Sequence, residues 1–136
     1  MKINIGDQAS LSKIFTENDV RTFAKISLDR NPLHEAGTIS NESIFKGPIV
    51  HGQLVAALIS AVLGGKLPGP GTIYLSQTLK FVAPVFIDDE VTATVKVLKV
   101  RESKGIVNLS TLCVKSDGTL VIDGDAVVMH PSLKDQ

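Results

Sequence analysis

The chain carries a single cysteine, Cys113, and no tryptophan among its 136 residues. One thiol cannot close an intrachain disulfide, so no oxidising compartment is implied. Aromatic residues make up only 4% of the chain, which offers little for stacking single-stranded bases. An excess of charge is missing as well: 14 Lys+Arg balance 14 Asp+Glu, with no basic run longer than two residues. Nucleic-acid binders rely on a basic stripe because phosphate neutralisation supplies most of their affinity, so that class is disfavoured. Met1 to Asp7 contains no apolar core of a secretory signal. The longest apolar run, Leu54 to Leu63, is broken by Ser60 and falls short of the about 20 residues that span a bilayer. A soluble cytoplasmic protein is expected, with neither membrane nor nucleic acid as partner. What is present is an ordinary globular composition, 43% hydrophobic and 21% charged, in one domain over residues 1–136.

Local patterns divide the chain into elements. Ala9–Phe15 is a loose strand candidate. Thr16 then offers an N-cap, with Glu17 and Asp19 in the first turn, where the helix dipole favours acids. Helical spacing runs to about Leu28, and Asn31-Pro32 stops it, because the residue before proline is pushed out of the α region. Asn31 can cap a new short turn that begins at Pro32. A polar loop over 35–48, with Gly37 and Gly47-Pro48, precedes a segment from about 50 to 63 that is apolar nearly all round and ends at Gly64-Gly65. A helix without a polar face is a buried helix. Period-two strands follow at Thr72–Phe81, Glu90–Val100, Gly105–Lys115 and Thr119–His130, with Ser116-Asp117-Gly118 as a hairpin signal. The order predicts an α+β architecture, an antiparallel sheet curved around one buried helix. Such a sheet leaves edges exposed, so a homodimer is expected.

Three polar features stand out against this apolar frame. Asp29-Arg30-Asn31-Pro32-Leu33-His34 sets a carboxylate and an imidazole on either side of a helix break, which lets them turn toward one point. The same residues also fit a plain helix end followed by a loop histidine. Gly52, after His51, opens the apolar helix, where free N–H groups and partial positive charge meet and no Cβ blocks a ligand. Close packing would explain that glycine equally well. Ser60 lies two turns on, where a hydroxyl usually bonds back to the preceding turn. Sharper motifs fail. Gly64-Gly65-Lys66-Leu67 has no Ser/Thr of a phosphate loop, and Gly69-Pro70-Gly71 lacks a dinucleotide fingerprint. The three histidines lack zinc spacing, and no nucleophile elbow exists.

Taken in order, Asp29-x-Asn31-Pro32-x-His34, Gly47-Pro48-Ile49-Val50-His51-Gly52 and Gly71-x-Ile73-Tyr74-x-x-Gln77-x-Leu79-x-Phe81-x-x-Pro84-Val85 resemble the MaoC-like (R)-specific enoyl-CoA hydratases. The likeness runs from about residue 6 to about 130 in register. Its nearest forms are the short single-domain hydratases that supply (R)-3-hydroxyacyl-CoA for polyhydroxyalkanoate synthesis. The resemblance implies a hot-dog fold and a homodimer binding an acyl-CoA thioester. It assigns catalysis to Asp29 and His34, with Asn31 supporting them. It implies that the Gly52 amide binds the oxyanion, that Ser60 hydrogen-bonds from the central helix, and that Leu63 and Val127 shape an acyl pocket of about four to six carbons. No metal and no cofactor beyond the substrate's own coenzyme A are implied. Lys66 and Arg101 are candidates for the coenzyme A phosphates from their loop positions. Two other classes compete: a dehydratase of acyl-carrier-protein thioesters, and a non-catalytic acyl-thioester-binding domain.

Overall fold

A computed structural model of the chain describes residues 1–35 and 47–135, so most of the expected polar loop, Gly37 included, lies outside the described residues. Among those described, five strands make one antiparallel sheet: β1 (Gln8–Ile14), β2 (Ile73–Phe81), β3 (Glu90–Arg101), β4 (Ile106–Lys115) and β5 (Leu120–Met129). The sheet order is β1-β3-β4-β5-β2. Strand alternation sets the buried face. Val91, Ala93, Val95 and Val97 of β3, with Val107, Leu109 and Cys113 of β4, are fully buried. Burying each such valine or leucine is worth roughly 1.5–3 kcal/mol. On the opposite face, paired hydroxyls tie β1 to β3, Ser10 to Thr94 at 2.8 Å and Ser12 to Thr92 at 2.6 Å. Ser116-Asp117-Gly118 does close the β4–β5 hairpin, with the Gly118 amide donating to the Lys115 carbonyl at 2.9 Å.

Helix α1 (Glu17–Ser27) starts as its first turn predicts. Thr16 accepts from the Asp19 amide at 3.1 Å, and the Asp19 carboxylate accepts from the Thr16 amide at 2.9 Å. This reciprocal pair satisfies two amides that the helix itself leaves open. Helix α2 (Gly52–Gly65) lays Val55, Leu58, Ile59, Val62 and Leu63 on the sheet. Two expectations change here. The helix begins at Gly52 and not near residue 50, because Ile49 and Val50 are held extended against the segment after β2. Ile49 forms a bridge with Phe86, and the Val50 amide donates to the Val85 carbonyl at 2.7 Å. Nor is the helix covered on every side within one chain: Gln53, Ala57, Ser60, Ala61 and Gly64 form an open stripe.

Candidate active site

The Asp29–His34 corner is built by its own backbone. Helix α1 ends at Leu28, which turns left-handed at φ 65° and reverses the chain into Asp29. The Asp29 amide donates to Ser27 Oγ at 3.0 Å, and Asp29 Oδ1 accepts the Asn31 amide at 3.2 Å. Asn31 Oδ1 in turn caps the short 3-10 turn Pro32–His34 through the Leu33 amide at 3.2 Å. The turn expected from Asn31-Pro32 therefore forms, and Asn31 holds it from both its main chain and its side chain. The lead-in to α2 locks this corner in place. The Ile49 amide donates to the Leu33 carbonyl at 2.9 Å, and His34 Nδ1 lies 2.6 Å from the Ile49 carbonyl. A carbonyl only accepts, so Nδ1 carries a proton, and in the singly protonated ring Nε2 is the bare nitrogen.

A third residue, His51, joins the pair. Donor atoms of Asp29, His34 and His51 all lie within 4.8 Å of one another. The His51 ring is 1% exposed and stacks on His34 with centroids 3.7 Å apart at 24°. Burial, with His34 as a further like-signed neighbour, pushes the His51 imidazole below its ordinary range. The set does not suit a metal ion. A coordinating nitrogen points its lone pair in the ring plane at about 2.0–2.1 Å, and two rings stacked at 24° cannot both aim at one ion. The remaining histidine, His130, serves the fold: Nε2 donates to the Pro70 carbonyl at 2.7 Å while Nδ1 accepts the Ser132 amide at 3.1 Å.

Gly52 faces the same corner across a cavity of about 520 Å³ that Asp29 and Gly52 both line, walled by Val55, Phe81, Val85 and Ile122. The helix gives the Gly52 amide no acceptor of its own, so it remains available to a ligand. A Cβ at this position would stand 2.6 Å from Phe81 Cε1. On the other side of Asp29, a polar groove of about 520 Å³ is bordered by His34 and by the cations Arg21, Lys25 and Arg30. Ser60 lies apart, in a shallow groove on the open stripe of α2 with Gln53, Tyr74 and Gln77. Neither Leu63 nor Val127 lines the cavity beside Gly52. Leu63 is packed at 1% exposure in the core, and half-buried Val127 pairs with Ser76 of β2. Lys66 departs from its expected role. Its ammonium is tied to the Ser10 carbonyl at 2.8 Å, at the other end of α2 and about 20 Å of helix from Gly52. Arg101 is exposed at the end of β3 and borders neither Asp29 cavity. Sequence reading had no signal for the roles of Ile49, His51 and Phe81, which arise from contacts between distant segments.

Among known proteins, the (R)-specific enoyl-CoA hydratase of Rhodospirillum rubrum is 48% identical over 130 residues, 96% of this chain and 90% of that one. The (R)-specific enoyl-CoA hydratase of Aeromonas caviae is 46% identical over 129 residues, covering 95% of this chain and 96% of its own. A solved structure, the (R)-hydratase from A. caviae involved in PHA biosynthesis, superposes with a TM-score of 0.90 over 95% of this chain and 98% of that chain. The sheet wrapped on a helix is thus the hot-dog arrangement. The description "MaoC like domain" matches residues 5–117. With that match and these identities across nearly its whole length, the chain belongs to the MaoC-like family.

Proposed function

We propose that the protein hydrates trans-2-enoyl-CoA to (R)-3-hydroxyacyl-CoA. The observation that carries this reading is the grouping of Asp29 with His34, donor atoms within 4.8 Å, while Asp29 also lines one cavity with Gly52, whose first-turn amide has no helical acceptor. Relatives bearing the name (R)-specific enoyl-CoA hydratase at 46% and 48% identity support it. Water is a poor nucleophile, and the enoyl thioester accepts it only if negative charge can settle on the carbonyl oxygen. In this reading the Gly52 amide receives that oxygen, aided by the helix dipole, and such a donor is worth about 3–4 kcal/mol. Asp29 and His34 hold one water between them. Asp29 takes its proton as the oxygen bonds to C3, and the pair returns a proton to C2 on the same face. General acid–base steps of this type contribute about 10²–10⁴-fold each. Asn31 keeps the turn that aims both groups, and Ser60 acts from the open stripe of α2. The reaction requires no metal or redox cofactor, since the thioester itself stabilises the developing charge.

The coenzyme A phosphates have Lys25 and Arg30 to meet on the groove side of Asp29, where Arg21 is paired with Glu17 at 2.8 Å. A preference for short acyl chains belongs to the same proposal, with Leu63 and Val127 acting from behind the cavity walls, since neither lines the cavity beside Gly52. So do a cytoplasmic location and a homodimer. A second copy would cover the open stripe of α2 and the edge strand β2, whose Ile73, Leu75 and Phe81 are exposed. Among the described residues, no helix is long and apolar enough to cross a membrane.

The test is hydration of a ladder of trans-2-enoyl-CoA lengths without carrier protein, with chiral analysis of the product. Four-carbon substrate should turn over fast and yield the (R) enantiomer. Asp29→Asn and His34→Ala should each remove most activity, and the double variant should be little worse, because the two act as one unit. Turnover only with acyl-carrier-protein thioesters would favour the dehydratase reading, and mainly (S) product would end the assignment.

A further inference from the structure

His51 occupies the first position before α2, where a side chain ordinarily caps the helix, yet its ring makes no capping bond. It turns instead toward the corner at Asp29, with Nε2 at 3.0 Å from the Asp29 carbonyl. Because that carbonyl can only accept, Nε2 carries the proton and Nδ1 is bare. Nδ1 is buried with no partner among the described residues. A phenylalanine or leucine would fill the slot without sealing in an unpartnered nitrogen, so packing does not explain the histidine. One ring face lies against His34 at 3.7 Å, and Phe23 of α1 meets the ring edge-on at 4.8 Å. His34 is therefore backed by a ring that Phe23 of α1 in turn contacts.

The segment 49–52 thus touches every working part. The Ile49 carbonyl holds the His34 ring, the His51 side chain holds the Asp29 main chain, and Gly52 offers its amide. We propose that His51 is a positioning residue: its Nε2–H anchors the Asp29 carbonyl while its ring face fixes the plane of the His34 imidazole, so that carboxylate, imidazole and Gly52 amide keep one geometry. This inference rests on the hydratase reading for its kinetic consequence but not for its structural content. At 1% exposure, behind both groups, His51 does not itself meet the substrate. Burial, and to a lesser degree the neighbouring His34, disfavour a charge on its ring, while the Asp29 carbonyl and carboxylate work the other way, and the net shift is downward.

Two variants separate the two contacts. His51→Phe keeps a ring and loses the donor; His51→Gln keeps an amide donor that can reach the Asp29 carbonyl and loses the ring. Fold is checked by far-UV circular dichroism and thermal midpoint. In four-carbon enoyl-CoA hydration, kcat should fall about 10²-fold for His51→Phe with KM within about twofold, the signature of misplaced catalytic groups. His51→Gln should recover part of that loss. Folded variants with kcat within twofold of wild type, or with KM raised at constant kcat, would overturn the proposal. A second readout needs no substrate. Long-range 1H–15N spectra of the histidine rings at neutral pH should show His51 as the Nε2–H tautomer and His34 as the Nδ1–H tautomer. In His51→Gln the His34 ring signals should shift and broaden as the ring loses the face that fixes its plane, while the Ile49 carbonyl still favours Nδ1–H. A charged or Nδ1–H His51 in the wild type overturns the proposal even if no variant folds. Should wild-type protein fail to hydrate any enoyl-CoA, the hydratase reading falls, while the ring spectra still decide whether His51 positions His34.

Discussion

At Gly52 the chain has only a hydrogen where any other residue would set a Cβ 2.6 Å from the Phe81 ring. Phe81 is 51% exposed in the single chain and stands at the end of β2, so its ring has room to shift there. Gly52→Ala should therefore cost little stability. The methyl and the displaced ring would instead fill the approach to the Gly52 amide. We expect kcat/KM for hydration to drop about 10²–10³-fold while the thermal midpoint moves by only a few degrees. Unaltered turnover in Gly52→Ala would show that the oxyanion donor lies elsewhere. Cys113, by contrast, has no part in the chemistry. It sits fully buried on the inner face of β4, where burial pushes its thiol up to about 12.

Among the elements, α1 depends most on its ends, since Val20 is the buried residue it contributes. Its amino end is secured by Thr16 and Asp19. Its carboxyl end is Leu28, left-handed at φ 65° and 79% exposed, so the conformation is not held by packing of the side chain. A left-handed non-glycine residue costs about 1–2 kcal/mol, and a β-branched one more. The reversal is nevertheless what delivers Asp29 to His34. Leu28→Gly should be close to neutral in urea unfolding, because relief of strain is offset by the freer unfolded chain. Leu28→Val should lose about 1 kcal/mol relative to wild type and lower kcat along with it. A Leu28→Val variant as stable as the wild type would mean that the left-handed turn is not retained in solution.

For the whole molecule, the open stripe of α2 and the apolar edge of β2 lie side by side, joined by the groove of Gln53, Ala57, Ser60, Tyr74 and Gln77. An uncovered edge strand beside small helix residues is a surface that a second copy can close by extending the sheet. Light scattering should give twice the 14.5 kDa chain mass. Ala57→Glu, which plants a charge in the middle of the stripe, should yield a monomer and reduce hydration with it. A fully active wild-type monomer would show instead that one chain completes the site.

Several features were legible in the residues themselves because their causes are local. Thr16 and Asp19 cap α1, Asn31-Pro32 stops it and opens the next turn, Gly118 closes a hairpin, and period-two alternation picks the buried faces of β3 and β4. The approach of Asp29 to His34 belongs here too, since one turn of chain brings them together. Other features depend on segments remote in sequence, and no local preference encodes those. The strand order, with β2 beside β5 and not beside β3, is one such feature. The start of α2 is another: Ile49 and Val50 are apolar enough to be helical, yet Val85 and Phe86 hold them extended. His51 reads in sequence only as the residue before a helix. Its bond to the Asp29 carbonyl, 22 residues away, exists because the lead-in to α2 packs beneath the Asp29–His34 corner. The sequence alone thus determined the short-range turns and periodicity that set Asp29, Asn31 and His34 at one corner, and its resemblance to the MaoC-like family is what suggests chemistry for them. The tertiary structure decided what holds them still, because that requires side chains and carbonyls from distant segments to meet at hydrogen-bond distance.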